Sequence, residues 1–199
     1  KAIRDFEPDY LFAPPLPVDH LAGVHVDHLA VAEALRRVAY LINVPHCFTP
    51  EYPCDERQSR SIKTPVILSV HDGYMSGANQ FDLAVDVEPA FDLVARMSWC
   101  HQSQIREWLP WVGRHAMSAP GNREEWRATL RRRFDRKNRE LGLAQSHALE
   151  VFTVTAWGEV PAFDTLLHDL PPVVAEASPL DTLRARLQRW RGEPPPAPA

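Results

Sequence analysis

Asp19-His20-Leu21-Ala22-Gly23-Val24-His25-Val26-Asp27-His28 places three histidines and two aspartates within ten residues, directly ahead of the helix-like run Leu29 to Leu41. Upstream, Pro8-Asp9-Tyr10-Leu11-Phe12-Ala13-Pro14-Pro15 reads as a short buried strand that ends at the prolines. A strand, a loop carrying His and Asp, and then a helix is the order in which open α/β sheets place their sites. The fold class and the chemistry are both to be sought here.

His25 and His28 stand three residues apart, so within a helical turn they share a face. The positive end of the helix dipole disfavours imidazolium, and a neutral ring is the form a metal ligand needs. If Asp27 caps the helix or lies in its first turn, its carboxylate faces backbone N–H groups that need an acceptor. It is also the right type of group to accept an imidazole N–H from His28. The plainer alternative is a polar loop with surface histidines.

Residues 29–42 form the clearest helix, with Leu29, Ala32, Leu35, Ala39 and Ile42 on one face and Glu33, Arg36 and Arg37 toward water. Residues 43–62 read as a loop because of Pro45, Pro50, Pro53 and the polar run Asp55 to Ser61. His46 and Cys47 there are ligand types without a second pair. Thr64 to Val70 is a β-prone core strand ending in His71-Asp72-Gly73-Tyr74. His71 is a candidate substrate-binding residue in a cleft shared with His25 and His28. The competing reading is a turn in which Asp72-Gly73 supplies loop chemistry.

Further on, Phe81 to Val87 reads as a short strand and Glu88-Pro89 opens a helix expected to run to about residue 108. Its inner face would carry Phe91, Val94, Ala95, Ser98 and Ile105. Asn122 and Glu125 form a capping-box-like start to a helix over 123–140. Its Arg131-Arg132-Arg133 and Arg136-Lys137 are interleaved with acids, which favours a solvated face. Leu149 to Ala156 alternates as a half-buried strand. Leu180, Leu183, Leu187 and Trp190 recur at helical spacing, either packed on the body or forming a homo-oligomer contact.

The chain has 199 residues, 45% of them hydrophobic, with six Trp, enough for a sizeable core. A net charge of -4 gives no reason to expect nucleic acid or a membrane surface as partner. No apolar run approaches the ~20 residues needed to span a bilayer, and no signal peptide is evident. Cys47, Cys54 and Cys100 make neither a disulfide framework nor a paired zinc signature, so a cytoplasmic setting is expected. The expected organisation is an α/β domain over 1–177, an amphipathic helix over 178–191 and a disordered Pro-rich tail over 192–199. Lys1 to Phe6 reads as the last turn of a helix already under way, as in a chain whose N-terminal part is missing.

The order of these elements resembles the LmbE / PIG-L family of zinc-dependent N-acetyl deacetylases. The resemblance spans residues 5–108. It rests on Pro8-Asp9 with the apolar strand to Pro14, on His25-Val26-Asp27-His28, on Pro65-Val66-Ile67-Leu68, on Val85-Asp86-Val87 and on Cys100-His101-Gln102-Ser103-Gln104. A weaker echo lies in Ala148 to Phe152. The resemblance implies a Rossmann-like three-layer α/β fold, here without its N-terminal strands and helices. It implies hydrolysis of the N-acetyl group of an amino sugar such as an N-acetylglucosamine conjugate, with a zinc cofactor. His28 would be a zinc ligand, and His25 would stabilise the oxyanion or protonate the leaving amine. Asp27 would orient and tune a histidine. The family's other two zinc ligands and its general base lie in an Ala-His-Pro-Asp-Asp motif, and no His-Pro-Asp-Asp occurs in these residues. This chain alone is therefore expected to be inactive, as the C-terminal part of a deacetylase. The alternative is a deacetylase-like binding or interaction module. A metallo-β-lactamase-type site would need histidine where Gly23 stands.

Overall fold

The computed structural model describes residues 2–17, 25–44, 63–73, 80–113, 117–143 and 147–194. The expectations for Asp19, His20, His46, Cys47, Cys54 and Tyr74, and for the tail beyond Pro194, lie outside these. The described chain is mixed α/β, with a four-stranded mixed sheet and seven α-helices among the described residues. Two compact units divide it: Lys1–Ala84 with Val151–Ala199, and Val85–Glu150. The division falls inside the stretch expected from sequence to be one domain.

In the first unit, α1 (Ala2–Phe6) precedes β1 (Tyr10–Ala13), α2 (Val26–Ala39) and β2 (Val66–Val70). β1 and β2 are parallel, with Tyr10 opposite Val66 and Ala13 opposite Ser69. Two parallel neighbours need a crossover connection, and α2 lies within it. Its stripe is the one the sequence marks: Ala32, Leu35 and Ala39 are buried, and Leu35 and Ala39 pack with Ala13 and Ile67. At the helix C-terminus, the Arg4 guanidinium donates to the carbonyls of Leu41 (2.9 Å), Ile42 (2.8 Å) and Val44 (2.8 Å), supplying the donors that terminal carbonyls lack.

β1 departs from the buried strand expected. Only Ala13 is buried; Phe12 is 53% exposed, its ring 5.2 Å from that of Phe152. With β3 at Leu83–Asp86 and β4 at Leu149–Val154, the sheet order is β1-β2-β4-β3, which explains this, because β1 is an edge. β2 is one of the two interior strands, and Val66 to Ser69 are all buried. Against it runs β4 (Leu149–Val154), antiparallel, with Leu68 opposite Val154. The bend after β4 brings Gly158 close enough to β2 that a Cβ would lie 2.1 Å from the Pro65 carbonyl oxygen, so any side chain there is excluded.

β3 (Leu83–Asp86) follows Asp82, whose buried carboxylate accepts from the Val154 N–H at 2.7 Å and from the Arg186 guanidinium. Arg186 belongs to the last helix, α7 (Leu180–Arg191), which buries Leu183 and Leu187 within the first unit. Each such leucine contributes roughly 2 kcal/mol of apolar burial. This is the packed-helix arrangement of the two weighed for it. A short helix absent from the sequence expectations, α6 (Phe163–Asp169), precedes it with Phe163 and Leu166 buried.

In the second unit the helix expected over 89–108 is interrupted. Pro89 sits in a tight turn, Glu88–Ala90, and α3 spans Phe91–Trp99. The N–H groups of Cys100 and His101 then bond only three residues back, to Met97 and Ser98, closing the helix. The chain resumes in a wide π-type turn, Ser103–Trp108, in which the Leu109 N–H reaches Gln104, and runs into the short α4 (Leu109–Val112). Pro110 has no N–H for the carbonyl four residues before it and crowds it, which the widened turn accommodates.

α5 (Arg123–Glu140) begins as its residues dictate: Asn122 Oδ1 accepts the Glu125 N–H at 2.9 Å, and the Glu125 carboxylate accepts from the Gly121 N–H at 2.8 Å. Arg131 is a correction to the solvated face. The helical period puts it in line with Phe134 and Asn138, both buried, so it turns inward while Arg132 and Arg133 stay exposed. Its guanidinium lies 3.8 Å from the centre of the Phe91 ring and grips Glu88 with two bonds of 2.6 and 2.7 Å.

Candidate functional site

The residues with chemical potential gather in the first unit, where the carboxyl end of β2 meets the start of α2. His25 is the residue that caps α2, in extended conformation, and its Nδ1 accepts the Asp27 backbone N–H at 3.2 Å. Asp27 therefore lies in the first turn and is not the cap. Its side chain is largely exposed, with Oδ2 3.8 Å from His25 Nδ1, beyond hydrogen-bond reach. His28, one turn on, lies beside His25: the ring centres are 5.3 Å apart and the rings are tilted by 43°.

The carboxylate that holds His28 is Asp72, not the adjacent Asp27. His28 Nδ1 lies 3.1 Å from Asp72 Oδ2, across 44 residues of sequence. Asp72 has only 8% of its side chain exposed, whereas half of the His28 ring is open to solvent. An ionised carboxylate only accepts, so His28 donates through Nδ1. Its Nε2 keeps the lone pair a metal ligand uses, in the arrangement by which metal-bound histidines are commonly oriented.

Of the sequence candidates, the structure brings His25, Asp27 and His28 together on the first turn of α2. His71 follows directly on β2 and is half-buried, and Asp72, next to it, contacts His28. Asp72 was legible as a turn residue. The signal for its other role was its place, the first acidic residue past the end of an interior strand parallel to its neighbour, where α/β folds put ligands. Cys100 to Gln104 lies in the second unit: Cys100 is exposed, and its Sγ is 3.6 Å from the Arg96 carbonyl oxygen.

His28 fits one ligand position of a zinc site. Among the described residues, no group of three or more His, Cys, Asp or Glu side chains is arranged to hold a metal ion.

The second unit holds another histidine–aspartate contact. His147 Nδ1 is 2.8 Å from Asp86 Oδ2, and Asp86 Oδ1 accepts the Glu88 N–H at 2.9 Å. Glu88 in turn accepts from Arg131 and from the Ala148 N–H at 2.8 Å. The Arg131 hydrogen bonds above all hold the Glu88 carboxyl below the ordinary glutamate range, against the opposing effect of burial. Tyr10, in the first unit, is pushed up by burial and by donating to Asp169 at 2.7 Å.

No family model matches this chain, and neither does any curated protein or solved structure. Among the described residues, no helix is long and apolar enough to cross a membrane.

Proposed function

We propose that this chain carries part of the active site of a zinc-dependent hydrolase of the LmbE / PIG-L type, removing the N-acetyl group of an amino sugar or related conjugate. The observation that supports it is the His25–His28 pair. Two imidazoles stand side by side at the mouth of α2, and His28 is tethered through Nδ1 to a buried carboxylate.

In this reading His28 is one metal ligand, oriented by Asp72. His25 presents its outer nitrogen to the amide, stabilising the oxyanion or protonating the departing amine. Zinc bound there would polarise the acetyl carbonyl and lower the pKa of a water. Asp27 lies beside His25 and adds negative charge against a developing imidazolium. His71, in the same reading, rims the substrate pocket. The finer fold assignment, a Rossmann-like three-layer deacetylase fold, belongs to the same proposal, as does completion of the ligand set by an Ala-His-Pro-Asp-Asp segment outside these residues.

The test is acetate release from N-acetylglucosamine conjugates by the gene product containing this chain, with zinc and after chelation. Zinc-dependent release lost in His28→Ala is the expected result. A gene product that carries the Ala-His-Pro-Asp-Asp segment yet releases no acetate sinks the reading and leaves a binding module.

A further inference from the structure

The two histidines meet opposite hydrogen-bond partners at the same ring atom, and the consequence is chemical. His25 Nδ1 faces a donor, the Asp27 backbone N–H at 3.2 Å. His28 Nδ1 faces an acceptor, the Asp72 carboxylate at 3.1 Å. A neutral imidazole carries one proton, so the partner of one nitrogen decides what the other presents.

We propose that this chain holds His25 and His28 in opposite tautomers, with Asp72 as the positioning residue that sets His28. His28 carries its proton on Nδ1 and turns an Nε2 lone pair outward. His25 carries its proton on Nε2 and turns a donor outward. Side by side, the rings make a lone pair and an N–H at one mouth. Such a pair suits a ligand that is gripped at one atom and protonated or hydrogen-bonded at its neighbour, as an amide is on cleavage; that use rests on the function proposed above, while the tautomers do not.

Two competing arrangements are weaker. The Asp27 carboxylate would need an Nδ1 proton on His25, but it stands at 3.8 Å, while the backbone N–H is within hydrogen-bond range. For His28, the proton on Nε2 is the commoner form of an isolated neutral imidazole. It would leave the Nδ1 lone pair against a carboxylate that is 8% exposed, two acceptors with no proton between them. The carboxylate therefore reverses the intrinsic preference of His28 and leaves that of His25 alone.

The test is a long-range proton–nitrogen correlation spectrum of the metal-free 199-residue chain, labelled in its histidines, at about pH 9, well above the ordinary imidazole pKa. His25→Gln and His28→Gln assign the signals. The expected result is a protonated Nδ1 and bare Nε2 for His28, with the reverse for His25. Asp72→Ala should shift the His28 proton to Nε2 in most molecules and leave His25 unchanged. Asp72→Asn, which keeps the volume without the charge, should lower the Nδ1–H population and decides the matter if the alanine variant does not fold. A His28 proton on Nε2 in the parent chain, or a His28 unmoved in the folded variants, overturns the proposal. Acetate release plays no part in these spectra, so their failure leaves the hydrolase reading to its own assay.

Discussion

His28 with Asp72 and His147 with Asp86 are chemically the same contact, an Nδ1 against a carboxylate, and the rings are about equally open, at 51% and 52%. What surrounds each pair separates them. Asp86 passes its second oxygen to the Glu88 N–H, and Glu88 is closed by Arg131 and the Ala148 N–H. That is a clamp, in which each acceptor named is answered by a fixed donor. Beside His28 stands a second imidazole instead, its ring centre 5.3 Å away and half open to solvent. A histidine–carboxylate contact is thus no site by itself; the neighbouring group decides whether it binds the chain together or faces a ligand.

The clamp is the place to break first. Arg131→Met should cost about 2–3 kcal/mol in urea unfolding, because it removes two charge-assisted bonds and leaves a part-buried carboxylate without its cation. An unfolding free energy within 0.5 kcal/mol of the parent, a margin of ~0.5, would show the clamp to be ornamental.

Acid should loosen the same clamp. The folded-state pKa of Glu88 lies below its unfolded value, so its contribution is complete above the ordinary glutamate pKa and is lost as pH falls through the depressed one. Stability measured down a pH series should drop across that acid limb, and more shallowly in Arg131→Met. Parallel curves would contradict the assignment.

The two histidines give the direct contrast. His147→Ala and His28→Ala should each cost roughly 0.5–1 kcal/mol, since both rings are half exposed. Only His28→Ala should abolish zinc-dependent acetate release by the complete gene product. Equal losses of activity in both variants would erase the distinction between the two histidine–carboxylate pairs.

The smallest effect is the most specific. His25 occupies a helix cap where Asn, Asp or Ser is preferred. His25→Asn should raise thermal stability by a few tenths of a kcal/mol while removing the outward N–H, the exchange expected where function displaces a better cap. A destabilised His25→Asn protein would mean that the ring itself packs α2.

Much of the fold was legible because its signals are local. The Leu35 and Ala39 stripe, the β-prone run through Ile67 and Leu68, and the Asn122–Glu125 cap each depend on residues within a turn or two of one another. The widened turn over Ser103–Trp108 was less so, because Pro110 acts through a carbonyl four residues back rather than at its own position. In the site, His25 and His28 could be grouped from their spacing. Their hydrogen-bond partners could not. Adjacency favoured Asp27 for His28, and the folded chain supplies Asp72.

The sequence by itself determined the periods: which faces of α2 and α7 are apolar, where α5 begins, where strands form, and that two histidines share one turn. These follow from backbone geometry repeated over a few residues. The tertiary structure alone decided the long pairings. The parallel register of β1 with β2 and the crossover through α2 carry Asp72 to His28, and α7 carries Arg186 to Asp82 across 104 residues. Such contacts depend on where distant segments end in space, and that is set by how the buried faces stack.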